Sequence, residues 1–110
     1  MNTDLHPGDL TPADAAAMVR NGSLTIVDVR PPQERELAAI ALPYAVLEGG
    51  GLEELLGLAK DTPLGFLCHH GGRSAQAAEH FRAQGSTAVY NIIGGIEAWA
   101  LEVDPSVPRY

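Results

Sequence analysis

The sequence predicts an α/β domain with a mostly parallel sheet. Three observations carry this. Short β-branched or apolar runs alternate with stretches of helical periodicity. The strand-like runs are nearly continuous in apolar residues, the pattern of strands covered on both faces. The chain has 110 residues, enough for one hydrophobic core and too few for a second.

The first helix is predicted in "DLTPADAAAMVRNG", where Thr11 can act as N-cap and Pro12 occupies the first helical position. Ala15, Met18 and Val19 share one face, and Gly22 is a natural stop. "SLTIVDV" reads as a buried strand. "PPQERELAAI" is a short helix whose prolines and acids suit the positive end of the helix dipole. "PYAVL" is a short strand. Leu52, Leu55, Leu56 and Ala59 then fall at i, i+3, i+4 and i+7, a helical stripe. "PLGFLC" is a second buried strand, "SAQAAEHFRAQG" a helix ended by Gly85, and "STAVYNI" a third strand. Ile96, Trp99, Ala100 and Val103 give a last helical face before Pro105 and Pro108 forbid continuation. The whole chain, 1–110, is expected to be one domain, with residues 1–9 and 104–110 as extended segments.

Composition narrows the function classes. Fourteen acidic against seven basic residues give a formal net charge of -7, which disfavours nucleic-acid backbones and anionic lipid as partners. The longest apolar run, 37–47, is interrupted by Pro43 and is far below the roughly 20 residues of a membrane span. The first ten residues show no basic start or apolar h-region, so the cytoplasm is the expected compartment. One cysteine forms no internal disulfide and builds no zinc site alone.

That cysteine, Cys68, ends a predicted strand and precedes "HHGGRS", residues 69–74, before a helix. In α/β sheets this is the carboxyl end, where ligands bind. Gly71 and Gly72 let the loop turn sharply and leave its amides uncovered. Those N–H groups, with the free donors of the helix start, can form an anion nest, to which Arg73 can add charge. Helix starts and cations lower a thiol's pKa, and the thiolate is the nucleophile. A lone cysteine is more often an inert buried hydrophobe, but few such cysteines are followed by a nest of this kind.

The loop resembles the active-site loop of rhodanese-like sulfurtransferases, Cys-x-x-Gly-x-Arg-Ser. "LTPADAAAMV" is similar to that family's opening helix, "IVDVRPPQERE" to its first core strand with the Asp-Val-Arg signature, and "YNIIGGIEAWA" to its closing motif. The resemblance implies a three-layer domain, a mostly parallel central sheet with helices on both faces. It implies that Cys68 takes a sulfane sulfur as a persulfide from thiosulfate or a protein persulfide. The sulfur then passes to a thiol, cyanide or a sulfur-carrier protein, with no metal or organic cofactor. Residues 69–74 (His69, His70, Gly71, Gly72, Arg73 and Ser74) would form the substrate and anion-binding loop, and Asp28 and Arg30 would support it. Related phosphatases and arsenate reductases use Cys-x5-Arg; the Cys-x4-Arg spacing here favours one extra sulfur over a phosphate. A non-catalytic interaction module on the same fold is the alternative from another class.

Other residues make weaker claims. His69 and His70 are expected to face different ways on an extended loop and to take no chemical step; His80 and His6 are given no role. Asp28 and Arg30 read as an ion pair or cap, Gly94 and Gly95 as turn geometry, Trp99 as core. Glu34, Glu36, Glu53 and Glu54 read as a solvated face. The family's Gly-His-Ile-Pro-Gly-Ala segment is replaced by "LAAIALPYAV". The tail "VDPSVPRY" resembles the ends of rhodanese domains that follow adenylyltransferases or are linked to monothiol glutaredoxins, which suggests a protein acceptor.

Overall fold

The computed structural model describes residues 8–110; His6 and the rest of residues 1–7 lie outside them. Among the described residues five strands, β1 (Asp9–Leu10), β2 (Thr25–Asp28), β3 (Ala45–Val46), β4 (Leu64–Leu67) and β5 (Val89–Ile92), alternate with five helices. The helices are α1 (Pro12–Arg20), α2 (Pro32–Leu37), α3 (Gly51–Leu56), α4 (Gly72–Ala83) and α5 (Gly95–Glu102). All pairings are parallel and the spatial order is β1-β5-β4-β2-β3.

Local chemistry accounts for the element ends. The Thr11 hydroxyl accepts the Asp14 amide at 3.1 Å, Pro12 opens α1 and Gly22 follows it at φ 80°. Gly85, at φ 101°, follows α4. Two boundaries differ from expectation. The stripe predicted through Ala59 stops at Leu56, where the bonding tightens: the Gly57 amide is shared between the Glu53 and Glu54 carbonyls and the Leu58 amide bonds Leu55, three residues back. Helix α4 begins at Gly72, before Ser74, with no side-chain cap.

Strand residues alternate between two cores, as the two-residue pleat period requires. Ile26 and Leu67 point to one side with Ala15, Ala16, Ile96 and Trp99 of α1 and α5. Val27, Leu64 and Phe66 point to the other with Leu55, Ala78 and Phe81 of α3 and α4. Helices therefore cover both faces. Ala38 and Ile40, from the stretch that replaces the Gly-His-Ile-Pro-Gly-Ala segment, are buried in the first core.

The central strand is β4, with β2 and β5 beside it. The chain runs from β2 outward to β3, and from β4 outward to β5 on the opposite side. The carboxyl ends of β2 and β4 thus flank the point where strand order reverses, the usual place for a site in an open α/β sheet. Asp28 ends β2 and Cys68 follows β4 there.

Asp28 and Arg30 form a fully buried ion pair. Arg30 Nη2 donates to Asp28 Oδ2 at 2.6 Å, and Nε and the backbone amide donate to Oδ1 at 3.0 Å each. Burial by itself favours a neutral guanidine, but the Asp28 carboxylate prevails and raises the Arg30 pKa. Losing one member of such a pair strands the other in the interior. Asp28→Ala is therefore expected to cost about 3–5 kcal/mol, measured by urea unfolding. A double replacement of both residues by apolar ones is expected to cost less than that single change.

Candidate active site

Cys68 leaves β4 and enters a loop that must turn at once, because α4 starts four residues later. Gly71 makes the turn at φ 111°, left-handed backbone that side chains resist. A Cβ there would also lie 3.3 Å from the Gly94 amide. The Gly71 N–H then points back and donates to Cys68 Sγ at 3.0 Å. The sulfur thus sits at the uncapped start of a twelve-residue helix, where the dipole and free donors favour negative charge.

The loop's carbonyls are held elsewhere. The Cys68 carbonyl accepts the Ile96 amide at 2.8 Å and the His69 carbonyl accepts the Glu97 amide at 3.2 Å. Both donors belong to the first turn of α5, whose N–H groups have no partner within their own helix. This close approach explains Gly95: a Cβ would lie 2.4 Å from the carbonyl oxygens of both Cys68 and His69. The Gly94–Gly95 pair, read from sequence as turn geometry, thus also lets α5 dock on the thiol loop.

Cys68 is 1% exposed. Burial pushes the thiol pKa up, but the Ser74 hydroxyl and the amides of Ser74, Gly71 and His70 outweigh it, leaving it lowered. Ser74 Oγ is 3.2 Å from Sγ and donates to Asn91 Oδ1 at 2.6 Å. A hydroxyl has one proton to give. In the thiol form, S–H donates to Oγ and Oγ–H to Asn91; to serve the thiolate, that proton must turn from Asn91 to sulfur. Asn91, from β5, went unnoticed in the sequence, where nothing marks a polar strand residue as a neighbour of Cys68.

Arg73 is paired with Glu34, and the Cys68 thiolate also favours its positive charge. Its guanidinium grips Glu34 of α2 through two bonds of 2.8 and 2.9 Å, which makes it a brace on the loop more than a free charge in the nest. Glu34 is therefore half-buried and paired with Arg73 of α4, a correction to its reading as part of a solvated face. The Arg73 guanidinium, and to a lesser degree the Tyr110 hydroxyl, hold its carboxyl down at about 2 against the effect of burial. The histidines also depart from expectation. The loop turns instead of extending, so the His69 and His70 rings stack at 3.9 Å and 25°. Gly72 has open space where a Cβ would stand, and His80 is exposed.

The tail folds back onto this end of the sheet. Asp104 Oδ1 accepts the Ser106 amide and hydroxyl in a turn, and Val107 is buried in the first core. Arg109 pairs with Glu97 and Tyr110 reaches the thiol loop. Asp28, Arg30, Cys68, residues 69–74, Glu34, Asn91 and Tyr110 are thus gathered at one end of β2, β4 and β5. A surface groove of about 550 Å³ between α4 and β5 is lined by residues including Gly8, Glu79, Arg82 and Val89 and shares only Asn91 with this cluster.

Comparison with known proteins adds a lineage. Residues 11–102 match the family model described as "Rhodanese-like domain". The chain is 41% identical to the Arabidopsis thaliana "Rhodanese-like/PpiC domain-containing protein 12, chloroplastic", over 77% of its own length but only 30% of that protein's. It is 32% identical to "Thiosulfate sulfurtransferase GlpE" of Pseudomonas paraeruginosa, covering 82% of this chain and 81% of the relative. The polysulfide-sulfur transferase homodimer of Wolinella succinogenes has a similar structure, with TM-score 0.70, 31% identity, and coverage of 84% and 72% of the two chains.

Two outcomes test the site. Ser74→Ala is expected to raise the apparent pKa of Cys68 and slow its alkylation at pH 7 roughly tenfold, about the value of one charge-assisted hydrogen bond. Asn91→Ala, which frees the hydroxyl proton for sulfur, should shift the profile the opposite way. Glu34 has a folded pKa of about 2, below its ordinary value of about 4.3. Its contribution is therefore complete above that ordinary value and lost as pH falls towards about 2. Because Arg73 is 45% exposed, that contribution is screened to about 1 kcal/mol. Glu34→Gln should lose about that much stability at pH 7 and show a shallower acid limb in pH-dependent unfolding.

Proposed function

Because the chain belongs to the rhodanese-like domain family, we propose that it is a sulfurtransferase in which Cys68 carries a sulfane sulfur as a persulfide. The single observation that carries this reading is the sulfur's seat: a thiol held by the Gly71 amide and Ser74 at the start of α4, with its pKa lowered despite burial. Relatives whose names record thiosulfate and polysulfide sulfur transfer support the same chemistry.

The steps balance as follows. The Cys68 thiolate attacks the outer sulfur of thiosulfate or of a protein persulfide. A new S–S bond forms, the donor's S–S bond breaks, and sulfite or a thiolate leaves with the electron pair. The terminal sulfur of the Cys68 persulfide then carries the negative charge, about 2 Å beyond Sγ, within reach of loop amides. An acceptor such as a thiol, cyanide or a sulfur-carrier protein attacks that sulfur, and Cys68 leaves as thiolate. The lowered pKa serves both attack and departure. No second cysteine exists in these 110 residues, so discharge uses an external acceptor. Such chemistry suits the reducing cytoplasm, which we include in the proposal.

Intact mass after incubation with thiosulfate, without reductant, tests the reading. The expected result is a gain of one sulfur atom, absent in Cys68→Ser and reversed by cyanide or dithiothreitol. No gain with thiosulfate or with a protein persulfide, from a thiol that still alkylates, would overturn it in favour of an interaction module. Cys68-dependent hydrolysis of an aryl phosphate would overturn it in favour of a phosphatase, which the Cys-x4-Arg spacing disfavours.

A further inference from the structure

Tyr110 stands 42 residues from Cys68 in sequence yet touches both flanks of its loop. Its ring lies on that of His69 at 3.9 Å, nearly parallel at 9°. With His70 stacked on the other side of His69, three rings form a ladder. His69 Nε2 is buried within it and has no hydrogen-bond partner among the described residues. At the other flank the Tyr110 hydroxyl donates to Glu34 Oε1 at 2.5 Å, and Glu34 in turn grips Arg73. The same hydroxyl accepts from Arg30 Nη1 at 3.0 Å, which ties it to the buried pair at the end of β2.

From this geometry we propose that Tyr110 is a positioning residue for Cys68: it clamps the loop at residue 69 by stacking and at residue 73 through Glu34, and so fixes the amides that hold the thiolate. The anion nest works only while its N–H groups converge, and convergence depends on where the two flanks are held. The clamp itself is anchored independently. Val107 is buried, and Arg109 meets Glu97 through three bonds of 2.7, 2.9 and 3.1 Å. Burial and the Glu34 carboxylate push the Tyr110 hydroxyl pKa up, so it keeps its proton for Glu34 across neutral pH. The charged groups around the thiol loop are Arg73 on α4, Glu34 on α2, Asp28 and Arg30 at the end of β2, and Glu97 on α5. Each is paired, Glu97 with Arg109 of the tail, and His69, His70 and the Tyr110 hydroxyl are the other titratable groups there.

The test follows alkylation of Cys68 by iodoacetamide, a neutral probe, against pH by intact mass. It is run in the 110-residue protein and in Tyr110→Phe and Tyr110→Ala, with thermal unfolding alongside. Tyr110→Ala is expected to move the midpoint of the profile upward and to lower the rate at pH 7 roughly two- to tenfold, the factor one net hydrogen bond is worth. Tyr110→Phe, which keeps the stack and loses the hydroxyl, should move it the same way by less. In a Glu34→Gln background, Tyr110→Phe should have little further effect. A lowered Tm with an unmoved midpoint would make Tyr110 a merely structural residue and overturn the proposal. If Tyr110→Ala does not fold, an unmoved midpoint in Tyr110→Phe, or the same shift with and without Glu34, overturns it equally. Alkylation needs only the thiolate, so this outcome is independent of whether Cys68 carries sulfur.

Discussion

The thiol end of the molecule depends on one buried interaction, the ion pair of Asp28 and Arg30. A charged guanidinium in a dry interior is costly, and this one is kept because its donors are distributed with care. Nε and Nη2 donate to Asp28 at the end of β2. Nη1 reaches the Glu34 carbonyl and the Tyr110 hydroxyl. One side chain therefore joins a central strand, the short helix α2 and the tail. Through Glu34 and Tyr110 it is linked to Arg73 and His69, the two flanks of the Cys68 loop.

A second balance concerns the thiol. A sulfur with 1% exposure would ordinarily be protonated and inert. Here the orientation of backbone dipoles opposes burial. The loop's carbonyls face the start of α5, its amides face sulfur, and α4 adds its own positive end. That division needs α5 to approach closer than any side chain permits, which is why Gly95 stands at the contact. Stability and chemistry thus share the same hydrogen bonds, and the loop has little freedom to trade one for the other.

Much of the fold was legible locally. Thr11 and Pro12 announce α1, the β-branched runs announce β2 and β5, and Gly85 marks the end of α4, because these signals act within a few residues. Helix limits were less legible where a glycine amide closed a turn, as at Gly57, or where a helix began without a cap, as at Gly72. Within the site, Cys68 and the loop through Ser74 stood out because their spacing is contiguous. Asn91, Glu34 and Tyr110 did not. Each joins the cluster across 17 to 76 residues of intervening chain, and no local pattern encodes such a meeting.

By itself, then, the sequence determined the α/β class, the alternation of elements and a cysteine at a strand end before a glycine turn. Period and turn chemistry are properties of neighbouring residues. Tertiary structure decided what that cysteine meets. It paired Arg73 with Glu34, stacked two histidines expected to diverge, and brought the tail tyrosine onto the loop. The reason is physical: a hydrogen bond or a stacked ring depends on separation in space, and the parallel sheet converts distant positions into neighbours at the ends of β2, β4 and β5.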